Sequence, residues 1–167
     1  MNKEKNERLK RMEHEKFMRH AIELSRDNMN ANKGGPFGAV VVKDGEIIGK
    51  GANSVTSIND PTAHAEIVAI RNACETIDSY SLEGCEIYSS CEPCPMCLAA
   101  IYWSRIDKVY FANTHEDAAK VDFDDSFLYQ QMKLTRDQRS LPSENLLRIE
   151  ALQVFAEWDE KEDKIPY

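Results

Sequence analysis

The chain has 167 residues, a length typical of one globular domain with a core of its own. It contains 21 Lys and Arg residues against 29 Asp and Glu residues, for a net charge of −8, and 42% of its residues are hydrophobic. These values exclude a disordered, collagen-like or coiled-coil chain, and no apolar run approaches the roughly 20 residues of a membrane span. The amino-terminal segment lacks the apolar stretch of a secretory signal, so we expect a cytoplasmic protein without a membrane partner.

The first predicted element is a helix over about residues 14–29, where Phe17, Ala21 and Leu24 share one face. A charged, frayed helical extension over residues 1–12 precedes it. A β-hairpin follows the helix, because two β-prone runs flank Asp44-Gly45.

A second helix is predicted from Asp60-Pro61 to about Ile77, with Asp60 as N-cap and Pro61 in the first helical position. The later predicted elements are strands near 86–89 and 108–112, a helix over about 95–104, a short helix near 125–132, a fifth strand at 146–150 and a last helix at 152–161. This alternation predicts one α/β domain over residues 1–167, a three-layer α/β/α sandwich around a mixed five-stranded sheet.

The distribution of charge bears on the substrate. Residues 1–16 carry six basic and four acidic side chains, which leaves a net charge of −10 on the rest of the chain. A protein that follows a phosphate backbone normally presents an excess of positive charge. The balance therefore favours a small or neutral substrate over a nucleic acid.

Three of the five cysteines lie within seven residues, at positions 91, 94 and 97. An odd number of cysteines in a chain without an export signal does not indicate a disulfide framework. Cys94, as N-cap, and Cys97 flank a predicted helix start at Pro95, and His64 lies near the start of the preceding predicted helix. Two helix ends that face each other would offer one nitrogen and two sulfur ligands, a set that suits zinc.

Three protein ligands leave one tetrahedral position open, which is typical of a catalytic zinc site with one ion per chain. Glu66, two residues after His64, is the candidate carboxylate for taking the proton from bound water. Other interpretations of the same residues remain: a redox dithiol, half of a structural zinc site, or ligation through Cys91 and Cys94 instead. Together, the pattern H-x-E followed by P-C-x-x-C is the signature of the zinc deaminases.

Several longer segments extend this signature. They are GGPFGAV at 34–40, NDPTAHAE at 59–66, SCEPCPMC at 90–97, AIYW at 100–103, FDDSF at 123–127 and the terminal Tyr167. With them the chain resembles the cytidine deaminase-like superfamily and, within it, the small bacterial guanine deaminases. The first three segments are shared with tRNA adenosine deaminases, whereas FDDSF and the terminal tyrosine distinguish the guanine deaminases.

The resemblance implies zinc on His64, Cys94 and Cys97, with Glu66 moving protons. It implies hydrolytic deamination of guanine to xanthine and ammonia, with Asp125 recognising the base and assisting proton transfer.

The resemblance also implies a purine pocket formed by Asn53, which hydrogen-bonds the base, Phe37, which packs on its ring, and Ala65. Trp103 would line the pocket or a subunit interface. Residues 152–167 would form a helix and a lid ending in Tyr167, exchanged between the subunits of a homodimer. The alternatives are a guanosine or other aminoheterocycle deaminase, a tRNA adenosine deaminase, and a non-enzymatic zinc or redox module.

Overall fold

The computed structural model describes residues 3–166, which divide after Ser126 into two compact units. Among these residues, no helix is both long and apolar enough to cross a membrane. The helices and strands of the described chain are α1 Lys3–Asn30, β1 Gly38–Lys43, β2 Glu46–Ala52, α2 Val55–Ile58, α3 Ala65–Ile77, β3 Cys85–Cys91, α4 Pro95–Trp103, β4 Lys108–Asn113, α5 His115–Ala119, α6 Ser126–Lys133 and α7 Arg148–Glu160, with a 3₁₀ turn at Arg136–Gln138.

The sheet is mixed and has the strand order β2-β1-β3-β4. β1 runs antiparallel to β2 and β3, whereas β3 and β4 are parallel and are joined by the crossover helix α4. The predicted hairpin is confirmed, since a two-residue turn at Asp44 and Gly45, both with positive φ, joins β1 to β2.

Helices cover both faces of the sheet, as the α/β prediction requires. Side chains of successive residues in β1 point to opposite faces, so Val40 and Val42 pack with Phe17 of α1, whereas Ala39 and Val41 pack on the α3 and α4 side. On that side, β2 and α3 approach so closely that a Cβ at Gly51 would lie 2.0 Å from the Ala65 carbonyl oxygen. This close approach fixes the N-terminus of α3, which carries the candidate site.

The predicted fifth strand at 146–150 is wrong, because the sheet of the described chain has four strands. Leu147 takes a left-handed conformation, with φ 52°, and α7 begins at the next residue, Arg148. Residues 148–150 form the first turn of this helix, and a segment of five residues is too short to separate a strand period from a helix period.

The predicted start of the second helix is also wrong. The Asp60 carboxylate caps a turn instead, accepting hydrogen bonds from the Thr62 backbone nitrogen at 2.8 Å and the Thr62 hydroxyl at 2.6 Å. The helix begins at Ala65, with His64 as its N-cap residue. His64 therefore lies at the helix end rather than one turn inside it.

The second unit contains α6, the 3₁₀ turn and α7, and none of its described residues is buried. α7 nevertheless contains large apolar side chains, including Ile149, Phe155 and Trp158, which are all exposed. An isolated helix of 13 residues is marginal in water, so this apolar surface needs a partner.

Candidate metal centre and active site

The N-termini of α3 and α4 bring three metal-ligating side chains together. His64 is the N-cap residue of α3 and Cys94 is the N-cap residue of α4, with Pro95 in the first helical position. Cys97 lies in the first turn of α4 and is buried. The extended backbone at both caps directs the side chains past the helix ends, as the sequence predicted for Cys94.

The distances in this cluster fit a tetrahedral zinc ion. The His64 Nδ1 atom lies 3.5 Å from the Cys94 Sγ atom and 3.6 Å from the Cys97 Sγ atom, and the three ligand atoms lie within 4.8 Å of one another. For bond lengths of about 2.0 Å to nitrogen and about 2.3 Å to sulfur, tetrahedral zinc holds its ligands about 3.5 Å apart. The residues present therefore fit the metal that their chemistry suggests.

The alternative ligand pair of Cys91 and Cys94 does not form. The Cys91 Sγ atom approaches the Thr114 carbonyl oxygen at 3.6 Å, and Cys91 is absent from the cluster that the described residues form. Burial raises the pKa of the Cys91 thiol to about 11, so it stays protonated at neutral pH.

Cys94 and Cys97 interact with each other, and their pKa values are shifted in opposite directions. A hydrogen bond from Cys97, with further support from His64, lowers the pKa of Cys94 to about 4, and the same bond to Cys94 raises the pKa of Cys97. The hydrogen bond with Cys94 also raises the pKa of His64. A metal ion takes the place of these protons, because thiolate and neutral imidazole are the ligating forms.

Glu66 lies in the first turn of α3, two residues after His64, and its side chain is buried. Its Oε1 atom accepts a hydrogen bond from the Ser89 hydroxyl at 3.1 Å. Burial raises the pKa of the Glu66 carboxyl. A fixed carboxyl that binds protons more readily than an exposed one is suited to proton transfer.

Asn53 is buried directly after β2, and a residue that the sequence analysis missed holds it there. Its Oδ1 atom accepts hydrogen bonds from the backbone nitrogens of Gly35 at 3.3 Å and Val55 at 3.4 Å. Asn28, also buried, donates from Nδ2 to the carbonyl oxygens of Asn53 at 2.8 Å and Gly35 at 3.1 Å.

One sequence signal did point to Asn28. It continues the apolar stripe of Phe17, Ala21 and Leu24 one turn further along α1, so a polar side chain occupies a core-facing position. A buried amide of this kind requires hydrogen-bond partners, and here they are backbone carbonyls of the two loops around Asn53.

Phe37 and Phe123 form an aromatic pair beside Gly35, and Asp125 belongs to the same segment as Phe123. The Phe37 ring meets the Phe123 ring edge to face, with centroids 4.9 Å apart. Asp125 follows two residues later and is half-buried, and burial together with the negative charge of Cys94 raises its pKa. The Asp125 carboxyl therefore lies within electrostatic range of the metal ligands.

Glu92 and His115 form a second contact that the sequence did not reveal. The Glu92 Oε2 atom accepts from the His115 Nδ1 atom at 2.9 Å and from its backbone nitrogen at 3.2 Å. The two residues are 23 positions apart in a chain of many acidic groups, and no local pattern links them.

Of the three remaining predicted site residues, one lies beside the metal ligands, one lies on the surface and one is outside the described chain. Ala65 is buried between His64 and Glu66. Trp103 lies at the far end of α4 from Cys97 and is 68% exposed, beside a surface cavity of about 440 Å³ that it lines with Ala99, Tyr102 and Arg105. Tyr167 lies outside the described residues.

Comparison with known protein families gives a match to the zinc-binding region of cytidine and deoxycytidylate deaminases over residues 11–113. This range includes the three clustered ligands and Glu66. The guanine deaminase of Bacillus subtilis is 49% identical over 156 residues, which cover 93% of this chain and 100% of that protein.

Its X-ray structure superimposes with a TM-score of 0.90 over 92% of this chain and 98% of the other. A tRNA-specific adenosine deaminase of Aquifex aeolicus is 54% identical, but only over 77 residues, 46% of this chain and 51% of that protein.

Proposed function

The chain belongs to the cytidine and deoxycytidylate deaminase zinc-binding family, and from that membership we propose that it is a guanine deaminase. The reaction adds water at the amino-bearing ring carbon of guanine and releases ammonia, which leaves xanthine. The observation that carries the proposal is the cluster of His64, Cys94 and Cys97 beside the buried Glu66 carboxyl. The similarity to a guanine deaminase over nearly the whole chain supports the choice of substrate.

His64, Cys94 and Cys97 would hold one zinc ion per chain. When bound, zinc supplies Lewis acidity and lowers the pKa of a coordinated water molecule to near 7. Three protein ligands would leave one coordination position open, as in other catalytic zinc sites. The N-termini of α3 and α4 favour negative charge nearby, which supports the thiolate forms that a metal binds.

We assign the proton transfers to Glu66. Its carboxyl would take one proton from water and deliver it to a ring nitrogen of the purine, and would then take the second proton from the added hydroxyl and deliver it to the departing amine. Ser89 orients the carboxyl by its hydrogen bond, and burial raises the pKa of Glu66 so that it can carry the proton between the two transfers.

Asn53, Phe37, Ala65 and Asp125 would recognise the base. The Asn53 oxygen is already occupied by two backbone N–H groups, so its amide nitrogen is the group that would donate to an acceptor on guanine. Phe37, braced edge to face by Phe123, would pack on the ring. The Asp125 carboxylate would accept from the guanine N1–H and 2-amino groups.

Residues 152–167 would form a lid that two subunits of a homodimer exchange. The exposed apolar side chains of α7, such as Phe155 and Trp158, support a partner from outside the chain, because the described residues of the second unit have no buried core. Trp103, exposed at the end of α4, would then belong to a subunit interface. A lid that excludes water strengthens electrostatic interactions at the zinc.

The deciding experiment is ammonia release from guanine, guanosine, adenine, cytosine and a tRNA anticodon stem. We expect guanine to be the best substrate by kcat/KM and guanosine to be poor, since a closed lid leaves little room for ribose. Preference for guanosine would mean that the pocket is open, and absence of turnover with every compound would exclude a deaminase.

A tRNA adenosine deaminase is the second candidate, because proteins of that name are similar to this chain over about half of its length. Residues 17–167 have a net charge of −10, which opposes docking of a polyanion. Deamination of the anticodon stem with a kcat/KM above that for guanine would reverse the order of the two candidates.

A further inference from the structure

Glu92 and His115 connect the zinc-binding loop to the segment that leads to Asp125. One carboxylate oxygen of Glu92 accepts both N–H groups of His115, the backbone N–H at 3.2 Å and the ring N–H at 2.9 Å. The other ring nitrogen, Nε2, lies 3.4 Å from a carboxylate oxygen of Glu116. Two hydrogen bonds from a single residue fix its orientation as well as its distance.

Two contacts to backbone carbonyl oxygens continue the same junction. The Glu92 nitrogen donates to the Asn113 carbonyl oxygen at 2.8 Å, and the Cys91 thiol approaches the Thr114 carbonyl oxygen at 3.6 Å. The loop that ends in the zinc ligand Cys94 is thus joined to the chain at the start of α5.

From α5 a short turn leads to the recognition segment, residues 121–125. The Phe123 nitrogen donates to the Ala118 carbonyl oxygen at 3.1 Å, and the Phe123 ring lies against Phe37. Burial raises the pKa of Asp125 and the charge of His115 opposes that rise, so the two groups lie within electrostatic range of each other.

We infer that Glu92 and His115 are a positioning pair, which sets the distance between the zinc ligands and the recognition segment that carries Asp125. The inference rests on the proposed function, because it assigns Asp125 to purine recognition. Both side chains are about a third exposed, so the pair contributes little to folding. Its effect lies in geometry, since a displacement of about 1 Å at a substrate contact costs up to about a hundredfold in rate.

Two substitutions of His115 and one matched control test this. His115→Asn keeps a side-chain N–H near the position of Nδ1, whereas His115→Leu removes it. Glu116→Gln changes the charge beside Nε2 but leaves the bond to Glu92 intact. Each is made in the zinc-loaded full chain and, for binding of guanine by calorimetry, in a Glu66→Gln background that does not turn over.

We expect His115→Leu to weaken guanine binding about tenfold, to raise KM more than it lowers kcat, and to leave one zinc per chain. His115→Asn should recover most of the loss, and Glu116→Gln should behave like the parent. The loss of guanine binding in Asp125→Asn shows how large the effect is when a side chain that would contact guanine is changed directly. A Glu92→Met, His115→Leu double variant should lose no more than His115→Leu alone, because both changes remove one contact.

Hydrogen exchange provides a readout that does not depend on the substrate. Amides of α5 and the recognition segment should exchange faster in His115→Leu than in Glu116→Gln. Unchanged binding and exchange in His115→Leu would overturn the inference, and so would loss of zinc from that variant. If the parent neither binds nor deaminates guanine, the proposed function fails, and the exchange data alone decide whether the pair positions the segment.

Discussion

Cys91 and Cys97 lie at the same spacing on either side of Cys94, and their surroundings determine which one ligates metal. The Cys97 sulfur lies 3.6 Å from the His64 nitrogen, whereas the Cys91 sulfur faces a backbone carbonyl and its pKa is raised to about 11. The pKa is raised for both thiols, so the distance is what separates them: only Cys97 lies within ligand distance of His64 and Cys94.

We therefore expect Cys97→Ala to lose most of its zinc and Cys91→Ala to keep one zinc per chain. Elemental analysis of both purified variants measures this directly. The two substitutions remove the same atom from neighbouring buried positions, so a general effect of cavity formation appears in both. One zinc per chain in Cys97→Ala would refute the ligand assignment.

Glu66 is expected to act on protons and not on the metal. Glu66→Gln keeps the shape of the side chain and can still accept the hydrogen bond from Ser89, but it cannot carry a proton. General acid–base groups contribute about 10²–10⁴-fold each, so turnover should fall by at least this factor while zinc content and guanine binding remain. Glu86→Gln, the same change on β3 outside the site, is the control, and equal turnover in the two variants would exclude Glu66 as the shuttle.

Asn28 is predicted to hold the loops around Asn53. Asn28→Asp replaces a buried donor by an acceptor that faces two carbonyl oxygens, which should destabilise the fold by about 1–3 kcal/mol and raise KM for guanine. Asn72→Asp removes an amide-to-carbonyl bond of equal length, 2.8 Å to Lys50, on an exposed surface and should cost far less. Urea denaturation and steady-state kinetics compare the two, and equal losses would argue against a specific role.

At the scale of the elements, sequence pattern was reliable where the residue types allow only one local structure. Asp44 and Gly45 tolerate the positive φ that a two-residue hairpin turn requires, and they predicted the hairpin correctly. Pro95 predicted the start of α4 correctly. The helix start predicted from Asp60 was wrong, because a short polar side chain can cap either a turn or a helix, and here it caps a turn. The contact between Glu92 and His115 was not predicted, because the two residues meet through the parallel pairing of β3 and β4, which no local period encodes.

The N-terminus of α5 carries a prediction about pH. Thr114 and Asp117 form a reciprocal capping box, and the ion pair of Asp117 with Lys120, together with the Thr114 backbone N–H, lowers the pKa of Asp117 to about 2. Because the pKa in the folded protein is lower than that of an unfolded aspartate, about 3.9, the ionised carboxylate stabilises the fold above pH 4. This contribution is lost as the pH falls from about 4 to about 2.

The corresponding experiment compares the parent with Asp117→Asn by urea denaturation at several pH values. We expect the parent to have the higher midpoint at pH 5–7 and the gap to narrow as the pH approaches 3. A gap that stays constant over this range would show that the carboxylate charge does not stabilise α5.

At the scale of the whole molecule, the two units differ in what holds them together. The first unit has a two-sided sheet core, whereas the described residues of the second have none that is buried. Ile165 is 69% exposed near the end of a segment that is otherwise acidic and polar. An apolar end that has no buried environment in one chain is expected to dock on another copy.

We expect deletion of residues 165–167 to leave zinc content and folding intact and to lower guanine turnover sharply. The control removes residues 3–8 of the charged, exposed start of α1, which should leave turnover unchanged. If the lid is exchanged, mixing a tail-deleted chain with a Glu66→Gln chain restores activity, because the intact Glu66 of one subunit meets the intact tail of the other. With random pairing, half of the dimers are mixed and each has one complete site of two, so about a quarter of the parent turnover should return. Full activity after deletion would refute the lid, and failure of the mixture to recover would refute only its exchange between subunits.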